Sequence, residues 1–338
     1  MVVYLHLSIQ IPAYTGVLVN QLGANLNLGV GVDIFFAISG FIMVVSTRAG
    51  TTPAQFLSRR VLRVVPLYWC MTLLVVVGYL VQPAWFRSTV VSVEYVLKSL
   101  FFIPFANPGH AGDVMPVLVP GWSLNFEMVF YLVFALSLYL PARVRWIVVG
   151  VIFFVFLGLA PSPSEGVWPP ALAFYADPRI FEFWLGMVVG QHVHAPWSQR
   201  LPRWVPSLAL LVSLVALVLP SAAYAGLPSW VSIWLGNVFA SGVLVWAVVA
   251  LEVRGWVPQN RALQWLGDAS YSLYLSHILT LGVVRLAWTR LGWAQADLVH
   301  VAAFAVVGIA VSVLVASGVY VYVERPLQRV LKRIFSVG

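Results

Sequence analysis

Ionisable side chains lie inside stretches of this sequence that are otherwise as apolar as a lipid bilayer. The run LGVGVDIFFAISGFIMVV at residues 28–45 carries Asp33 near its start, and the segment SRRVLRVVPLYW that follows carries Arg59, Arg60 and Arg63. A charge inside a membrane helix costs roughly 3 kcal/mol on insertion scales, so such residues usually face the protein interior and serve a function. Asp33 therefore indicates polar chemistry within a membrane.

Helical periodicity predicts that further polar residues share inward faces. Asp33, Ala37 and Gly40 recur at i, i+4 and i+7 and form a small, polar stripe, whereas the opposite face is apolar. Two more stripes and one isolated histidine are predicted in the same way, namely Ser123–Glu127–Tyr131, Ser270–Tyr274–His277 and His6 in the first apolar stretch. Two histidines and two carboxylates are therefore expected to converge on the interior of a helical bundle.

Each of these residues also has a structural interpretation, which the sequence leaves open. A lone membrane histidine such as His277 is often a packing or hydrogen-bonding residue. Arg179 and Glu182, at i and i+3, are consistent with a simple ion pair at the start of a helix. Arg60 and Arg63 could be topology anchors, although their i, i+3 spacing makes them face one way.

The composition defines the broad class of protein. Apolar residues make up 61% of the chain and charged residues only 9%, and the mean hydropathy is +0.93. These values lie far outside those of soluble proteins and predict an integral membrane protein. The formal net charge of +8 does not indicate nucleic-acid binding, because the basic residues lie at the ends of apolar runs.

The predicted fold class is all-α, a polytopic membrane helical bundle in a single domain over residues 1–338. Spans of about 20 residues suggest about ten crossings. Within the span predicted at residues 180–194, Gly186 and Gly190 form a GxxxG pair, which indicates close packing against another helix. The predicted spans are residues 28–46, 64–82, 122–140, 146–160, 180–194, 204–222, 230–250, 266–288 and 298–322, with one further span at the start.

The distribution of basic residues predicts the orientation. With Arg59, Arg60 and Arg63 in the cytoplasm, fourteen of the 19 Lys and Arg residues lie at cytoplasmic helix ends, as the positive-inside rule requires. Both termini are then cytoplasmic, and residues 94–106 form a re-entrant or interfacial segment rather than a crossing. A helix from Met1 to Ile11 covers about 16 Å, roughly half of the hydrocarbon core, and is interpreted as a truncated first span.

The sequence resembles the membrane-bound acyltransferases of family three, which O-acylate bacterial surface polysaccharides and related acceptors. The resemblance covers nearly the whole chain, and the form NFEMVFY is more like the exopolysaccharide acetyltransferases. The motifs that carry it, in order, are GVDIFFAISGF at 31–41, SRRVLRVVPLYW at 58–69, GWSLNFEMVFYLVF at 121–134, RIFEFWLGM at 179–187, LGDASYSLYLSHI at 266–278 and YVERPL at 322–327.

The resemblance implies transfer of an acyl group, most simply acetyl, from cytoplasmic acyl-CoA to a hydroxyl of a cell-surface carbohydrate. Arg60 and Arg63 would bind the donor phosphates, because guanidinium engages phosphate oxygens two at a time. His6 would be the general base. Asp33 or Glu127 would assist it. The residues expected to bind the acceptor are Ser123, Tyr271, Tyr274, His277, Arg179 and Glu182.

The resemblance also implies the surroundings of the reaction. Acyl-CoA would be a co-substrate, with no tightly bound cofactor and no metal, and the protein would lie in the bacterial cytoplasmic membrane. Separate polysaccharide-assembly proteins could be partners. The family's arginine upstream of the histidine that matches His6 would fall before the first residue of this sequence. We attribute its absence to a misplaced start.

Two other classes of protein fit part of the sequence. A secondary transporter would also place ionisable groups at mid-membrane, but it should show inverted repeats and broken helices in matching halves. The sequence contains neither pattern. A scaffolding membrane protein would not need inward polar stripes in several spans.

Overall fold

The computed structural model describes residues 1–15, 17, 27, 29–86, 91–109, 114–159, 170–219, 227, 229–257 and 259–335. All regular structure within these ranges is helical, which confirms the predicted all-α class. The helices are α1 (Val2–Ser8), α2 (Val30–Ser46), α3 (Pro53–Val81), a 3-10 turn (Pro83–Trp85), α4 (Val93–Leu100), α5 (Gly121–Ser137), α6 (Ala142–Leu159), α7 (Pro170–Tyr175), α8 (Ile180–His192), α9 (Pro196–Arg200), α10 (Trp204–Val218), α11 (Ser229–Ile233), a π-helical turn (Trp234–Phe239), α12 (Ala240–Glu252), α13 (Arg261–Asp268), α14 (Ser270–Arg290), α15 (Leu298–Val319), a π-helical turn (Tyr320–Glu324) and α16 (Arg325–Ile334).

Each predicted span coincides with a described helix to within several residues at each end, except that α3 begins well before residue 64. Residues 28, 160 and 220–222 of three predicted spans lie outside the described residues. Among the described residues, four helical stretches are long and apolar enough to cross a membrane, and α2, α5 and α10 are apolar but shorter. The number of about ten crossings stays a prediction. The crossing stretches are Pro53–Val81, Ala142–Leu159, Val231–Glu252 and Leu298–Ile334.

Helix starts are fixed by short polar side chains where the sequence supplies them. Ser92 accepts a hydrogen bond from the amide of Tyr95 at the start of α4, and Asn260 accepts two at the start of α13. Asp297 accepts one from the amide of His300 at the start of α15, and this bond lowers the pKa of the exposed Asp297 carboxyl. These caps satisfy amides that have no partner within their own helices.

One predicted span differs in detail from the structure. The span predicted for residues 266–288 is divided at Ala269, where α13 ends and α14 begins. Ser270, expected on the inward face, is exposed, because it lies in the first turn of α14 beside the exposed α13. Tyr271 and Ser272 are buried in its place.

The chain divides into two compact units, and each is described by itself. The first unit comprises Met1–Asn25, Ser58–Asn125 and Asn260–Gly338. In it, α1 packs against α14 and α15, and α14 packs along α15. Its apolar core includes Leu7, Leu281 and Phe304.

The second unit comprises Leu26–Leu57 and Phe126–Gln259. Its most extensive helix pairing is between α2 and α8, and α12 packs against both. A Cβ atom built on Gly186 would lie 1.9 Å from the carbonyl oxygen of Ala37, and one built on Gly40 would lie 1.9 Å from that of Phe183. Only glycine therefore fits at these two positions, which confirms the close packing indicated by the GxxxG pair.

The π-helical turn before α16 has a cause in the sequence. Pro326 has no amide hydrogen, and in a regular α-helix its ring would collide with the carbonyl group of Tyr322. The wider turn at Tyr320–Glu324 removes this conflict and leaves Glu324 buried while Tyr322 is exposed.

Candidate functional site

The first unit brings the two predicted histidines together. The ring centroids of His6, on α1, and His277, on α14, are 5.1 Å apart. His277 is fully buried, whereas His6 is half-buried. The sequence placed both rings inside the bundle but could not show that they are neighbours.

Backbone carbonyls fix the tautomer of His277. Its Nδ1 lies 2.7 Å from the carbonyl oxygen of Tyr274 and 3.1 Å from that of Leu273. A carbonyl oxygen only accepts hydrogen bonds, so Nδ1 carries the hydrogen and Nε2 carries a lone pair. This Nε2 has no hydrogen-bond partner in the described part of the chain. His277 therefore presents Nε2 as an unused hydrogen-bond acceptor inside the helical bundle of the first unit.

Two hydroxyl groups of the predicted acceptor site contact each other in the same unit. The oxygens of Ser123 and Tyr274 are 2.7 Å apart, and the Tyr274 hydroxyl is also 2.9 Å from the carbonyl oxygen of Pro120. The rings of Tyr274 and His277 have centroids 6.1 Å apart. Ser123, Tyr274, His277 and His6 thus form one polar group within the first unit, which we call the histidine cluster.

The basic segment lies on α3 in the same unit. Arg63 is exposed and Arg60 is half-buried, one turn apart on the helix. The hydroxyl of Tyr271 donates a 2.7 Å hydrogen bond to the carbonyl oxygen of Val64, which is the residue after Arg63. Tyr271 was predicted to bind the acceptor, and the structure places its hydroxyl on the backbone of α3.

Asp33 belongs to a second group, within the second unit. Its Oδ1 lies 3.3 Å from Nε of Arg179, and its Oδ2 accepts a 3.1 Å hydrogen bond from the side-chain amide of Asn237. Nη1 of Arg179 pairs in turn with Asp177 at 2.8 Å. Glu182 is fully buried and its carboxyl faces that of Asp33. We call Asp33, Asp177, Arg179, Glu182 and Asn237 the acidic cluster.

The predicted inward faces of α2 and α5 are confirmed. Asp33, Ala37 and Gly40 are buried, as are Ser123, Glu127 and Tyr131. Within the second unit, the Oε1 atom of Glu127 accepts hydrogen bonds from the hydroxyl groups of Ser39, at 3.1 Å, and Tyr131.

Sequence reasoning missed several residues of the polar networks, among them Asn237, Ser272 and Glu324. Asn237 lies in an apolar run and gives no periodic signal. Ser272 donates a hydrogen bond to Glu324 in the first unit. The motif YVERPL contains Glu324, and a carboxylate directly before Arg-Pro at the end of an apolar stretch was the available signal.

The fold and these clusters describe a helical membrane protein with a buried, base-bearing polar site and an exposed basic helix face. The model of the family described as "Acyltransferase domain", acyltransferase family three, matches residues 1–317. The chain belongs to this family, which confirms the resemblance found in the sequence motifs.

Two relatives illustrate the similarity. The chain is 38% identical over 302 residues to the exopolysaccharide production protein ExoZ of Rhizobium meliloti, covering 88% of this chain and 89% of that protein. It is 27% identical over 331 residues to the acyltransferase MdmB of Streptomyces mycarofaciens, covering 90% of this chain and 82% of that protein. No solved structure gave a significant match.

Proposed function

We propose that the protein transfers an acyl group, most simply acetyl, from cytoplasmic acyl-CoA to a hydroxyl group of a cell-surface carbohydrate. Membership of the acyltransferase family supports the reaction type. Similarity to a protein named for exopolysaccharide production supports the class of acceptor. The observation that carries the mechanism is the His6–His277 pair, in which the second imidazole is fixed as an acceptor.

In the proposed mechanism His6 is the general base. It takes the proton from the acceptor hydroxyl as the oxygen attacks the thioester carbonyl carbon. A carbon–oxygen bond forms, the carbon–sulfur bond breaks, and the departing thiolate of CoA receives the proton from His6. The products are the carbohydrate ester and free CoA thiol. An imidazole suits this role because its unperturbed pKa lies near the working pH.

His277 orients the base in this mechanism. The ring centroids are 5.1 Å apart, and in the proposed complex one nitrogen of His6 faces Nε2 of His277. An N–H of His6 donated to this lone pair leaves the other nitrogen of His6 free to accept the proton. The hydroxyl groups of Ser123 and Tyr274 bind the acceptor beside it.

Arg60 and Arg63 bind the phosphates of acyl-CoA, which acts as co-substrate with no bound cofactor. The exposure of Arg63 supports this assignment, because an anionic ligand must reach the guanidinium group. We further propose about ten crossings of a bacterial inner membrane with both termini in the cytoplasm, which places these arginines on the side where acyl-CoA is made. The assistance of Asp33 or Glu127 and acceptor binding by Arg179 and Glu182 stay predictions.

The test is transfer of radiolabel from acetyl-CoA to endogenous polysaccharide in membranes that contain the protein. His6→Gln is expected to reduce labelling by about a hundredfold or more, the usual contribution of a general base. His194→Gln is the matched control, since His194 is exposed and lies outside both clusters. If membranes with His6→Gln label as well as the wild type at equal protein level, His6 is not the base.

A further inference from the structure

The last helix of the first unit, α16, has two chemically distinct faces. Leu327, Val330, Leu331 and Ile334 recur at i, i+3, i+4 and i+7 and form an apolar face. The opposite face is basic and contains no acidic residue. Its residues are Arg325, Arg329, Lys332 and Arg333. The helix is therefore amphipathic, with all of its charge of one sign.

Neither face of α16 has a partner in the described part of the chain. Val330 and Ile334 are 53% and 66% exposed, and no residue of the helix is fully buried. Among the described elements, α16 packs extensively only against the π-helical turn that precedes it. Its four basic side chains form no ion pair with any described residue. Both faces are therefore free to contact another molecule.

The preceding helix places α16 at the depth of lipid headgroups. The 22 residues of α15 extend about 33 Å at 1.5 Å per residue, and the hydrocarbon core is about 30 Å thick. Aromatic side chains then gather at the π-helical turn, where the rings of Tyr320 and Trp265 have centroids 5.4 Å apart and Tyr322 is exposed. Trp and Tyr are enriched at the boundary between membrane and water. The chain therefore leaves the hydrocarbon core before α16 begins.

We propose that α16 lies along the membrane surface and binds anionic phospholipid headgroups. Its apolar face enters the boundary between headgroups and acyl chains, and its four basic side chains contact lipid phosphates. Four cations without an acidic neighbour on the helix complement a negative surface, whereas a zwitterionic surface offers them no net charge. The inference does not depend on acyl transfer, since none of these residues belongs to the histidine cluster or to the proposed donor site.

The experiment measures the depth of the apolar face with an environment-sensitive dye. The full chain carries the dye on Ile334→Cys, with the exposed Cys70 changed to Ser, and is placed in lipid nanodiscs. The discs contain phosphatidylcholine alone or phosphatidylcholine with one third phosphatidylglycerol. Quenching by spin-labelled lipid, relative to quenching by aqueous iodide, reports whether the dye faces lipid or water. We expect the dye to face lipid in the anionic discs and water in the neutral ones.

Charge removal tests the basic face directly. Each basic residue near an anionic surface contributes about fivefold to the binding equilibrium, so Arg329→Gln with Arg333→Gln should shift that equilibrium towards the free helix by about twentyfold. Arg200→Gln with Arg290→Gln is the matched control, because it removes the same charge from exposed positions outside α16 and should leave quenching unchanged.

Three results would overturn the proposal. A dye that faces lipid equally in both kinds of disc shows that the headgroup charge is not recognised. A dye that faces water in both leaves the face to a protein partner. Self-quenching that rises with the number of proteins per disc assigns the face to a second copy of the chain.

Discussion

The histidine cluster and the acidic cluster are both polar groups inside apolar helices, but their hydrogen-bonding states differ. In the first, Nε2 of His277 has no partner among the described residues, and the neighbouring ring of His6 is half-buried. In the second, both oxygens of Asp33 are engaged, one by Arg179 and the other by Asn237.

A polar residue inside an apolar helix can therefore have either of two roles, in proton transfer or in holding helices together. A neutral imidazole with an unused lone pair can accept a proton without first breaking a bond. A carboxylate that already pairs with a guanidinium must lose that interaction before it can react, and a buried charge left without its partner is costly. The histidine cluster is therefore suited to proton transfer, and the Asp33–Arg179 pair is suited to holding α2 and α8 together. Both carboxyl oxygens of the neighbouring Glu182 have no hydrogen-bond partner in the described part of the chain, so this residue does not share the paired state of Asp33.

The largest expected effect comes from breaking the ion pair of the acidic cluster. Arg179→Gln leaves the buried carboxyl groups of Asp33 and Glu182 without their guanidinium, and we expect a loss of about 3 kcal/mol in stability. Adding Asp33→Asn should restore part of the loss, because one of the two buried carboxyl groups left without the guanidinium is then replaced by a neutral amide. Thermal unfolding of the detergent-solubilised protein measures both variants.

The opposite result would assign the acidic cluster to catalysis. If Arg179→Gln unfolds at the wild-type temperature but loses acyl transfer, Asp33 and Arg179 act on the substrate, as the sequence predicted for them. The comparison between the two clusters would then fail, since both would serve the reaction.

The second-largest expected effect comes from removing Nε2, the acceptor atom of His277. His277→Asn can keep a side-chain N–H near the carbonyl oxygens of Leu273 and Tyr274 but has no atom in place of Nε2. We expect kcat for acyl transfer to fall by about ten- to a hundredfold, with thermal unfolding little changed. His277→Gln, whose amide extends to the position of Nε2, should recover part of the rate.

These two variants distinguish a role of His277 in orienting His6 from a role in packing alone. If His277→Asn transfers acyl groups at the wild-type rate, the Nε2 atom has no role and His277 is a structural residue. This was the alternative that the sequence left open.

Local periodicity explains why the inward faces could be predicted. In α2, Asp33, Ala37 and Gly40 are buried, and Ile38 and Val45 on the other face are 39% and 48% exposed. The glycines of α8 carried a similar signal, because a small residue every fourth position allows two backbones to approach closely. The family-like motifs then occur along the chain in the same order as in the family.

Contacts between distant segments could not be predicted in this way. Asn237 meets Asp33 and Ser272 meets Glu324 across long stretches of sequence, and a single sequence carries no record of such pairs. The break at Ala269 was also missed, because the apolar character of residues 266–288 continues through it while the hydrogen-bonded helix does not. The contact between His6 and His277 was missed because these residues are far apart in the sequence and share no local pattern.

The smallest expected effect comes from replacing two helix glycines with alanine, one in each unit. Gly186→Ala places a methyl group against the carbonyl oxygen of Ala37, so α2 and α8 must separate, and we expect a loss of about 1–2 kcal/mol in stability. Gly282, within α14, has nothing within 4 Å of a built Cβ atom. Gly282→Ala should therefore leave stability unchanged or raise it by up to about 1 kcal/mol, because alanine restricts the unfolded chain.

Thermal unfolding of the two alanine variants in the same detergent gives this comparison directly. A large loss for Gly186→Ala, with acyl transfer per folded protein retained, supports the view that the α2–α8 contact and its acidic cluster are structural. Equal unfolding temperatures for the two variants would mean that the α2–α8 contact yields easily to an added methyl group. The acidic cluster would then need another source of rigidity, since Asp33 and Arg179 lie on opposite sides of that contact.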